Sequence, residues 1–356
     1  MNIVELLRIA EKKRASDLHL IAGVPPLMRI DGDLKQDDEL EILSSQDIKN
    51  LLTELATERQ REIFEEELEV DFAYSLPGGG RGRCNACFQQ GSISLAVRLL
   101  PERIPTVEDL GLPDICKEVV TRPRGLIIVT GPTGSGKSTT IAAMLNYLNH
   151  TFHKYLVTIE DPIEYVHPNI KCAFSQRELA ADTHSFVNAL KYVLRQDPDV
   201  ILVGEMRDLE TAAAVLTVAE TGHLVLSTGH APSAAQSVER IVDLFPPHER
   251  PMAQSRLAST LIGVFCQALV PRIKGGRVAA IEIMLATPAV KNLIREGKPF
   301  LITNTIRTSS QLGMRTLDDA LVDLYRREII SRESIFAFCQ DADEVNKILR
   351  MNNIAR

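Results

Sequence analysis

The first hundred residues mix two hydrophobic patterns, and the mixture predicts a small α+β domain over residues 1–100. Alternating apolar and polar positions predict short strands, and Asp31 and Gly32, directly after the second of them, are a hairpin-turn signal. Amphipathic spacing predicts a helix at the start of the chain and further helices after Ser44. The predicted strands cover residues 17–21, 27–30, 70–75, 83–89 and 93–99, and the predicted helices cover 3–14, 44–55 and a charged stretch up to 68.

Prolines at 101 and 105 interrupt the next stretch, and residues 101–110 are therefore predicted to link two domains. Over residues 111–356, strand, loop and helix patterns alternate. Continuous apolar strands are typical of parallel sheets, which are buried on both faces. From about residue 247 the pattern is mostly helical apart from a short strand near 278–284, and about 285–356 form a C-terminal helical region. The predicted strands are 126–130, 155–160, 200–203 and 224–228, and the predicted helices are 138–148, 186–195 and 209–220.

Composition narrows the class of protein. The 356 residues carry a net charge of −7 with a pI near 5.7 and no tryptophan. This argues against nucleic acid as the main partner, because clustered lysines and arginines hold phosphate backbones. No apolar run reaches the ~20 residues that span a bilayer, so direct membrane insertion is not expected. The chain is expected to be cytoplasmic. The six cysteines are expected to be free, since Cys84 and Cys87 fall on opposite faces of a strand.

The clearest chemical signal is GPTGSGKS, which follows an apolar strand and opens a helix. It matches G-x-x-x-x-G-K-[ST], whose glycines let backbone N–H groups face a triphosphate. Lys137 is expected to reach the β- and γ-phosphates, and the Ser138 hydroxyl is expected to bind Mg²⁺. The expected ligands are therefore ATP and Mg²⁺. The expected nucleotide-binding residues are Gly131, Pro132, Thr133, Gly134, Ser135, Gly136, Lys137, Ser138 and Thr139.

Carboxylates follow two of the predicted parallel strands. The strand over 200–203 leads to Glu205, at the edge of the sheet where such folds bind ligands, so Glu205 is a candidate for Mg²⁺ and water. Glu160 and Glu164 bracket a turn that Pro162 forces. Hydrolysis needs a carboxylate that orients the attacking water, and the residue pattern alone leaves Glu160 and Glu164 as alternatives.

Two histidines, His223 and His230, flank the predicted strand over 224–228. A lone histidine is usually a core or surface residue. A pair at the ends of one strand beside a nucleotide makes both candidates for contact with the γ-phosphate.

Residues 194–208, LRQDPDVILVGEMRD, resemble along their whole length the signature of bacterial secretion-type hexameric ATPases. The phosphate loop, the acidic box TIEDPIE at 158–164 and a histidine box at His230 accompany it as in that family. The sequences ASDLHL at 15–20 and RIDG at 29–32 resemble the start of the family's N-terminal domain. The resemblance implies a small N-terminal PAS-like α+β domain followed by a RecA-like P-loop ATPase core with C-terminal helices.

Within that superfamily the chain is most similar to the PilT-type retraction ATPases of type IV pili. It begins directly at the PAS-like domain, and the four-cysteine zinc module typical of pilus-extension and type II secretion relatives is missing. The sequence AVKNLIREG at 289–297 resembles a helix motif associated with retraction. The resemblance implies a homohexameric, ATP-hydrolysing motor for twitching motility. Its partners would be an inner-membrane platform protein and, indirectly, pilin, and it would lie at the cytoplasmic face of that membrane.

The resemblance also assigns roles to individual residues. Glu164 matches the catalytic glutamate of the acidic box, Glu205 matches the Walker B glutamate, and His230 matches a γ-phosphate sensor. Three residues match N-terminal-domain arginines that reach a nucleotide, often that of a neighbouring subunit. They are Arg81, Arg83 and Arg98.

One sequence departs from the family pattern. The family reads Thr-Leu-His-Thr at the histidine box, whereas this chain has Gly229 before the histidine and Ala231 after it. Gly229 adds backbone freedom and Ala231 removes a hydroxyl, which leaves open how the box couples to domain motion. The alternatives are an accessory retraction ATPase, a pilus-extension or type II secretion ATPase, and, from another class, a RecA-like nucleic-acid translocase. A nucleotide-binding regulator without hydrolysis is disfavoured by the two intact glutamates, Glu164 and Glu205.

Overall fold

The computed structural model describes residues 2–30, 33–37, 39–75, 81–100 and 103–351. The predicted hairpin turn at Asp31 and Gly32 and the first two residues of the predicted linker lie outside these ranges. The chain divides into two compact units. The first is Met1–Arg103 with Glu164–Val166, and the second is Ile104–Ile163 with His167–Arg356.

The first unit is built on an antiparallel sheet whose strand order is β3-β2-β1-β6-β5-β4. The strands are β1 Asp17–Leu20, β2 Leu27–Ile30, β3 Asp33–Gln36, β4 Glu69–Ser75, β5 Arg81–Gln89 and β6 Ser92–Leu99, and the helices are α1 Ile3–Lys12, α2 Ser45–Leu55 and α3 Glu58–Glu67. Alternate residues of the strands pack with the apolar sides of the helices into one core, for example Leu18, Phe72 and Val97. The opposite face of the sheet carries polar and charged residues.

The helices of the first unit begin at capping boxes, which explains why the sequence starts them there. Asn2, Ser44 and Thr57 each accept a hydrogen bond from the backbone three residues on, and the side chain at that position bonds back. Helix α1 ends at Lys12, two residues earlier than predicted, and Arg14 beyond it has a left-handed φ of 57°. The exposed strand β3 was not predicted.

The second unit is built on a seven-stranded sheet with the order β13-β12-β7-β11-β10-β8-β9. All neighbours in it are parallel except β12 and β13. Its strands are β7 Gly125–Thr130, β8 Tyr155–Glu160, β9 Ala173–Glu178, β10 Val200–Glu205, β11 Leu224–Gly229, β12 Leu261–Pro271 and β13 Arg277–Leu285.

Helices cover both faces of this sheet and so bury it. They are α4 Ile115–Val120, α5 Lys137–Thr151, α6 Phe186–Val193, α7 Leu209–Glu220, α8 Ala234–Asp243, α9 Arg250–Thr260, α10 Pro288–Arg295, α11 Ile302–Thr308, α12 Leu317–Arg326, α13 Arg332–Phe338 and α14 Ala342–Met351. Helices α4 and α5 pack on one face, and α6 to α10 pack on the other. Helices α12 to α14 pack around the outer ends of β12 and β13. The α/β class with a parallel-sheet core and C-terminal helices is confirmed.

Two strands of the second unit, β9 and β12, were not predicted, and the helix predicted over β12 was wrong. The segment after residue 247 is not helical up to 278, because β12 runs for 11 residues from Leu261 to Pro271. Its sequence, LIGVFCQALVP, is almost continuously apolar because β12 lies between β7 and β13 and is covered on both faces. An apolar run of this kind has the same pattern in a buried strand and in a buried helix.

All six cysteines are free, as predicted. Burial raises the pKa of the Cys84 and Cys116 thiols to about 12, so both stay protonated and unreactive at neutral pH. Across the described ranges, none of the helices combines the length and the apolar character that crossing a bilayer requires.

Candidate functional site

The phosphate loop lies between the central strand β7 and helix α5. All six residues of β7 are buried, and the chain leaves the sheet at Gly131. Gly134 and Gly136 have φ angles of 77° and 85°, which other residues rarely adopt, and α5 begins at Lys137. The positive end of the helix dipole therefore faces the loop, as an anion site requires.

Lys137 is held inside this loop. Its side chain is buried, and its ammonium group donates hydrogen bonds to the backbone oxygens of Gly131 at 3.0 Å and Pro132 at 3.1 Å. The Ser135 hydroxyl is also buried here, and it has no hydrogen-bond partner within the described part of the chain. A buried cation beside an unsatisfied hydroxyl suits a ligand that accepts hydrogen bonds, such as a phosphate group.

Glu205 and His230 meet at the same edge of the sheet. Strands β10 and β11 are parallel neighbours, so the residues at their carboxyl ends lie together. His230 Nε2 lies 3.1 Å from Glu205 Oε1, and Arg207 Nε donates to Glu205 Oε2 at 2.7 Å. The Glu205 carboxylate raises the pKa of the Arg207 guanidinium. Arg207 lies within the family signature at 194–208, but the sequence assigns it no role.

The histidine box is tied to the phosphate-loop strand through the backbone of Ala231. The Thr130 hydroxyl donates to the Ala231 carbonyl at 3.0 Å and accepts from the Ala231 N–H at 2.8 Å. One strand away, the Thr228 hydroxyl donates to the Gly204 carbonyl at 2.5 Å. The departure at Ala231 therefore leaves a direct connection between the two loops, because that connection uses no side-chain atom of residue 231.

The residues at this edge suit a magnesium ion that takes some of its ligands from the protein and the rest from a nucleotide and water. Within the described ranges, no group of three or more His, Cys, Asp or Glu side chains is placed to hold a metal by itself. The candidates are the Ser138 hydroxyl and the Glu205 carboxylate, both hard oxygen donors. Mg²⁺ is usually held by one or two protein oxygens together with phosphates and water, which matches this donor set.

The structure corrects the expectation for His223. Its backbone carbonyl accepts a hydrogen bond from the N–H of Gly125, the first residue of β7, at 3.0 Å. His223 therefore lies at the amino edge of the sheet, whereas the phosphate loop leaves the carboxyl edge. The two ends of a six-residue strand are about 17 Å apart. Because β7 and β11 are parallel, a histidine before β11 cannot share the edge occupied by His230.

The two carboxylates of the acidic box have different surroundings. Glu160, the last residue of β8, is buried, and its Oε1 lies 3.4 Å from Gln176 Nε2. Glu164 is exposed and belongs to the first compact unit. The turn between them contains a cis bond before Pro162, and Ile163 N–H donates to Glu178 Oε2 at 3.2 Å. The choice of Glu164 as the catalytic carboxylate stays a prediction.

The three predicted arginines share the outer face of the first sheet. Arg83 and Arg98 stand directly opposite each other on β5 and β6, and Arg81 is two residues from Arg83 on the same face. Arg83 pairs with Asp71 at 3.2 Å, and Arg98 pairs with Asp17 at 2.9 Å. Arg83 and Arg98 therefore form surface ion pairs within the first unit, and a contact of the three arginines with nucleotide stays a prediction.

Comparisons with known proteins identify the family. Residues 92–286 match the family described as type II/IV secretion system protein. The chain is 50% identical to the type IV pilus retraction ATPase PilT of Pseudomonas aeruginosa, over 94% of this chain and 97% of the relative. It is 44% identical to a twitching motility protein of Neisseria gonorrhoeae, over 97% of this chain and 92% of that protein.

A solved structure extends the match to the whole fold. The crystal structure of the pilus retraction motor PilT with bound ADP superposes with a TM-score of 0.90 at 44% identity, covering 98% of this chain and 99% of that chain. Both the α/β core and the N-terminal domain are included in this match. The chain therefore belongs to the type II/IV secretion system protein family and, within it, to the retraction ATPases of type IV pili.

Proposed function

We propose that this protein is a homohexameric motor that hydrolyses ATP and uses the energy to retract type IV pili. The observation that supports it best is the meeting of Lys137, Glu205 and His230 at the carboxyl edge of one parallel sheet. A cation for phosphate, a carboxylate and a histidine are the groups that triphosphate cleavage uses. Two relatives are named for pilus retraction and twitching motility, which supports pilus retraction as the process that ATP hydrolysis drives.

In the proposed mechanism, Lys137 leaves its bonds to the loop carbonyls and pairs with the β- and γ-phosphates. Ser138 and Glu205 would hold Mg²⁺, which would supply positive charge to offset the negative charge of those phosphates. Glu164 orients the attacking water and takes its proton. His230 contacts the γ-phosphate with its ring. The Arg207 guanidinium, bonded to Glu205, keeps that carboxylate fixed at the end of β10.

Conversion of hydrolysis into movement is proposed to use the two domains. We place the domain boundary as the sequence predicted it, with residues 1–100 and 111–356 as domains and 101–110 as the linker. Arg81, Arg83 and Arg98 would contact the nucleotide of their own or a neighbouring subunit. Loss of the γ-phosphate would weaken that contact and let the domains rotate, which is a hinge-type switch.

The proposed surroundings follow from the family. The ring would lie in the cytoplasm at the inner-membrane face of the pilus machine. Its direct partner would be the platform protein of that machine, and pilin would be an indirect partner. A nucleic-acid translocase is the competing class, and the acidic pI near 5.7 speaks against it. Stimulation of the ATPase by single-stranded DNA would revive that alternative.

The first test of the proposed function is Lys137→Ala. We expect this change to abolish ATP hydrolysis and to weaken ATP binding, because it removes the cation that faces the β- and γ-phosphates. The measurement is the steady-state ATPase rate of the purified protein, with ATP affinity from calorimetry. Lys191→Ala, which removes an exposed lysine on α6, is the matched control and should keep the wild-type rate. Near-normal turnover of Lys137→Ala would remove the loop from the mechanism.

A further inference from the structure

Gln267 lies beside the phosphate loop on the neighbouring strand β12. Strand β12 is parallel to β7, and Cys266 stands opposite Thr130, the last residue of β7. Gln267 is therefore the first residue of β12 past the point where β7 ends and the loop begins. Its side chain is on the same face as that of Phe265, which packs in the core beneath α5. At 3% exposure, Gln267 is a buried amide next to a loop of glycines.

The Gln267 side chain joins the loop to the helix that follows it. Its Nε2 group donates to the Ser135 carbonyl at 2.6 Å. Its Oε1 atom accepts from the Thr140 hydroxyl at 2.7 Å, and Thr140 lies in the first turns of α5. A primary amide has both a donor and an acceptor, so this one side chain satisfies one buried group in the loop and one in helix α5.

Two glycines of the phosphate loop are packed against Gln267. A Cβ atom at Gly131 would lie 2.3 Å from the Gln267 carbonyl oxygen, and one at Gly136 would lie 2.9 Å from Gln267 Nε2. Both distances are shorter than side chains tolerate, so these glycines are needed for the approach of β12 as well as for the loop's own turns. The loop is thus shaped from outside by the strand beside it.

The contact also fixes the direction of one backbone N–H group. In a trans peptide the carbonyl and the N–H of the next residue point in opposite directions within one plane. Because the Ser135 carbonyl is turned to Gln267, the Gly136 N–H points away from Gln267, to the opposite side of the peptide. Backbone N–H groups that face the interior of the loop are what a phosphate-binding loop presents to its ligand.

We propose that Gln267 is a positioning residue for nucleotide binding, which holds the phosphate loop in its binding shape through Ser135 and Thr140. This inference rests on the proposed ATPase function. Gln267 would not touch the reacting atoms. Its loss would let the Ser135–Gly136 peptide rotate, so that the bound diphosphate part of the nucleotide loses a hydrogen bond. The effect should therefore reach ADP as well as ATP.

The test compares two pairs of variants. Gln267→Met removes both amide contacts at similar volume, and we expect it to weaken the affinity for MgATP and for MgADP by about tenfold or more, since it leaves a buried carbonyl unsatisfied. Thr140→Val should show a smaller loss in the same direction, and Thr140→Ser, which keeps the hydroxyl, should restore affinity. The double variant of Gln267→Met and Thr140→Val should lose little more than Gln267→Met alone, because both act through one contact.

A control separates positioning from packing. Thr260→Val makes the same change at a buried threonine whose hydroxyl bonds Arg256 at the amino edge of the sheet. We expect it to lower the melting temperature without changing nucleotide affinity. If Gln267→Met or Thr140→Val keeps wild-type affinities for both nucleotides and loses only melting temperature, as Thr260→Val does, the inference is overturned. If Gln267→Met does not fold, the comparison of Thr140→Val with Thr140→Ser decides. Failure of the wild-type protein to hydrolyse ATP would instead overturn the proposed function.

Discussion

The two sheets of this protein hold charged side chains in opposite environments. On the outer face of the first sheet, Asp17 lies across the strands from Arg29 and Arg98, and all three stand at a polar surface. The second sheet is covered on both faces. Glu282, on β13, is 1% exposed, and its Oε1 accepts a hydrogen bond at 2.6 Å from the backbone N–H of Ala234, the first residue of α8.

These environments shift the pKa values of the Asp17 and Glu282 carboxyl groups in opposite directions. Partial burial raises the pKa of Asp17, but hydrogen bonds from Ser16 and Arg98 more than offset it, and the pKa lies below its ordinary value. Burial raises the pKa of Glu282, and the hydrogen bonds from backbone N–H groups offset only part of the effect. An open face can thus stabilise a charge with opposite charges, whereas a covered sheet stabilises the neutral form.

The second sheet carries the side chains of the candidate site at its strand ends and in the loops that follow them. Glu205 ends β10, and Lys137 and His230 follow β7 and β11, all at the carboxyl edge. The buried acids Glu282 and Asp318 serve another purpose. Asp318 accepts from the backbone N–H groups of residues 340 and 341 at 2.8 and 3.1 Å, which ties the end of α13 to α12. Buried acids in this unit join its elements through hydrogen bonds, whereas the side chains at the carboxyl edge are available for chemistry.

The largest expected effect distinguishes the two carboxylates of the acidic box. Glu164 is exposed and belongs to the first unit, whereas Glu160 is buried in the second. Glu164→Gln should bind ATP about as well as the wild type and hydrolyse it at least ~100-fold more slowly, a typical size for loss of a base or water-orienting group. Single-turnover hydrolysis with pre-bound ATP measures the chemical step directly.

Glu160→Gln is the matched comparison, since Glu160 is the buried residue at the end of β8. We expect its effect on the hydrolytic step to be smaller than that of Glu164→Gln. If Glu160→Gln proves the slower enzyme, the catalytic carboxylate is the one at the strand end of the second unit, and the assignment to Glu164 is wrong.

The next prediction tests whether the arginines on the outer face of the first sheet contact nucleotide in addition to pairing with acidic side chains. If Arg83 contacts the nucleotide as proposed, Arg83→Ala removes a charge-assisted contact to phosphate and should lower the ATPase rate by about tenfold or more. The proposed ring should stay assembled. Arg29→Ala is the control, since Arg29 lies on the same face and near Asp17. Equal rates for Arg83→Ala and Arg29→Ala would leave these arginines as surface ion pairs.

A mixing experiment then asks which subunit supplies the arginine. Chains with Arg83→Ala and chains with Lys137→Ala are combined in varying ratios, and the ATPase rate is measured. If the arginine acts across a subunit boundary, some interfaces carry both intact halves and part of the activity returns. Absence of rescue at every ratio, with mixed rings confirmed by mass, would place the arginine in the site of its own chain.

How far the sequence predicts this structure also differs between the sheets. In the first unit one face is open, so apolar and polar residues alternate and the shared face of Arg81 and Arg83 follows from their spacing. Strand β3 was not predicted, because all four of its residues are exposed and buried and exposed positions do not alternate along it. Local patterns were sufficient wherever one side of an element faces water.

In the second unit the sequence predicted β7, β8, β10, β11 and β13, missed β9 and β12, and gave no strand order. Nothing in the sequence of β12 says that it lies beside β7, so the contact of Gln267 with Ser135 had no local signal. His223 was misplaced because a strand's two ends were treated as one edge. The phosphate loop was predictable because its glycines and Lys137 must be contiguous, whereas residues brought together by strand order are distant in sequence.

The smallest expected effect tests the comparison of the two carboxyl groups by pH. Asp17 has a lowered pKa in the folded state, so its contribution to stability is complete above the ordinary value of 3.8 and is lost as the pH falls through the folded-state value. Asp17→Asn should therefore cost up to about 1 kcal/mol at neutral pH, because two arginines lose their partner. That cost should shrink as the pH falls below about 4.

Glu282 should show the opposite slope. Its folded-state pKa is raised, so the folded protein holds a proton that the unfolded chain releases above about 4.5, and the wild type loses stability as the pH rises from there through the folded-state value. Glu282→Gln keeps an oxygen for the Ala234 N–H and has no charge to bury, so its melting temperature should gain on that of the wild type as the pH rises from 5 to 8. A constant difference over that range would mean that Glu282 is ionised in the folded protein throughout. The covered sheet would then tolerate charge in its interior as the open sheet does at its surface.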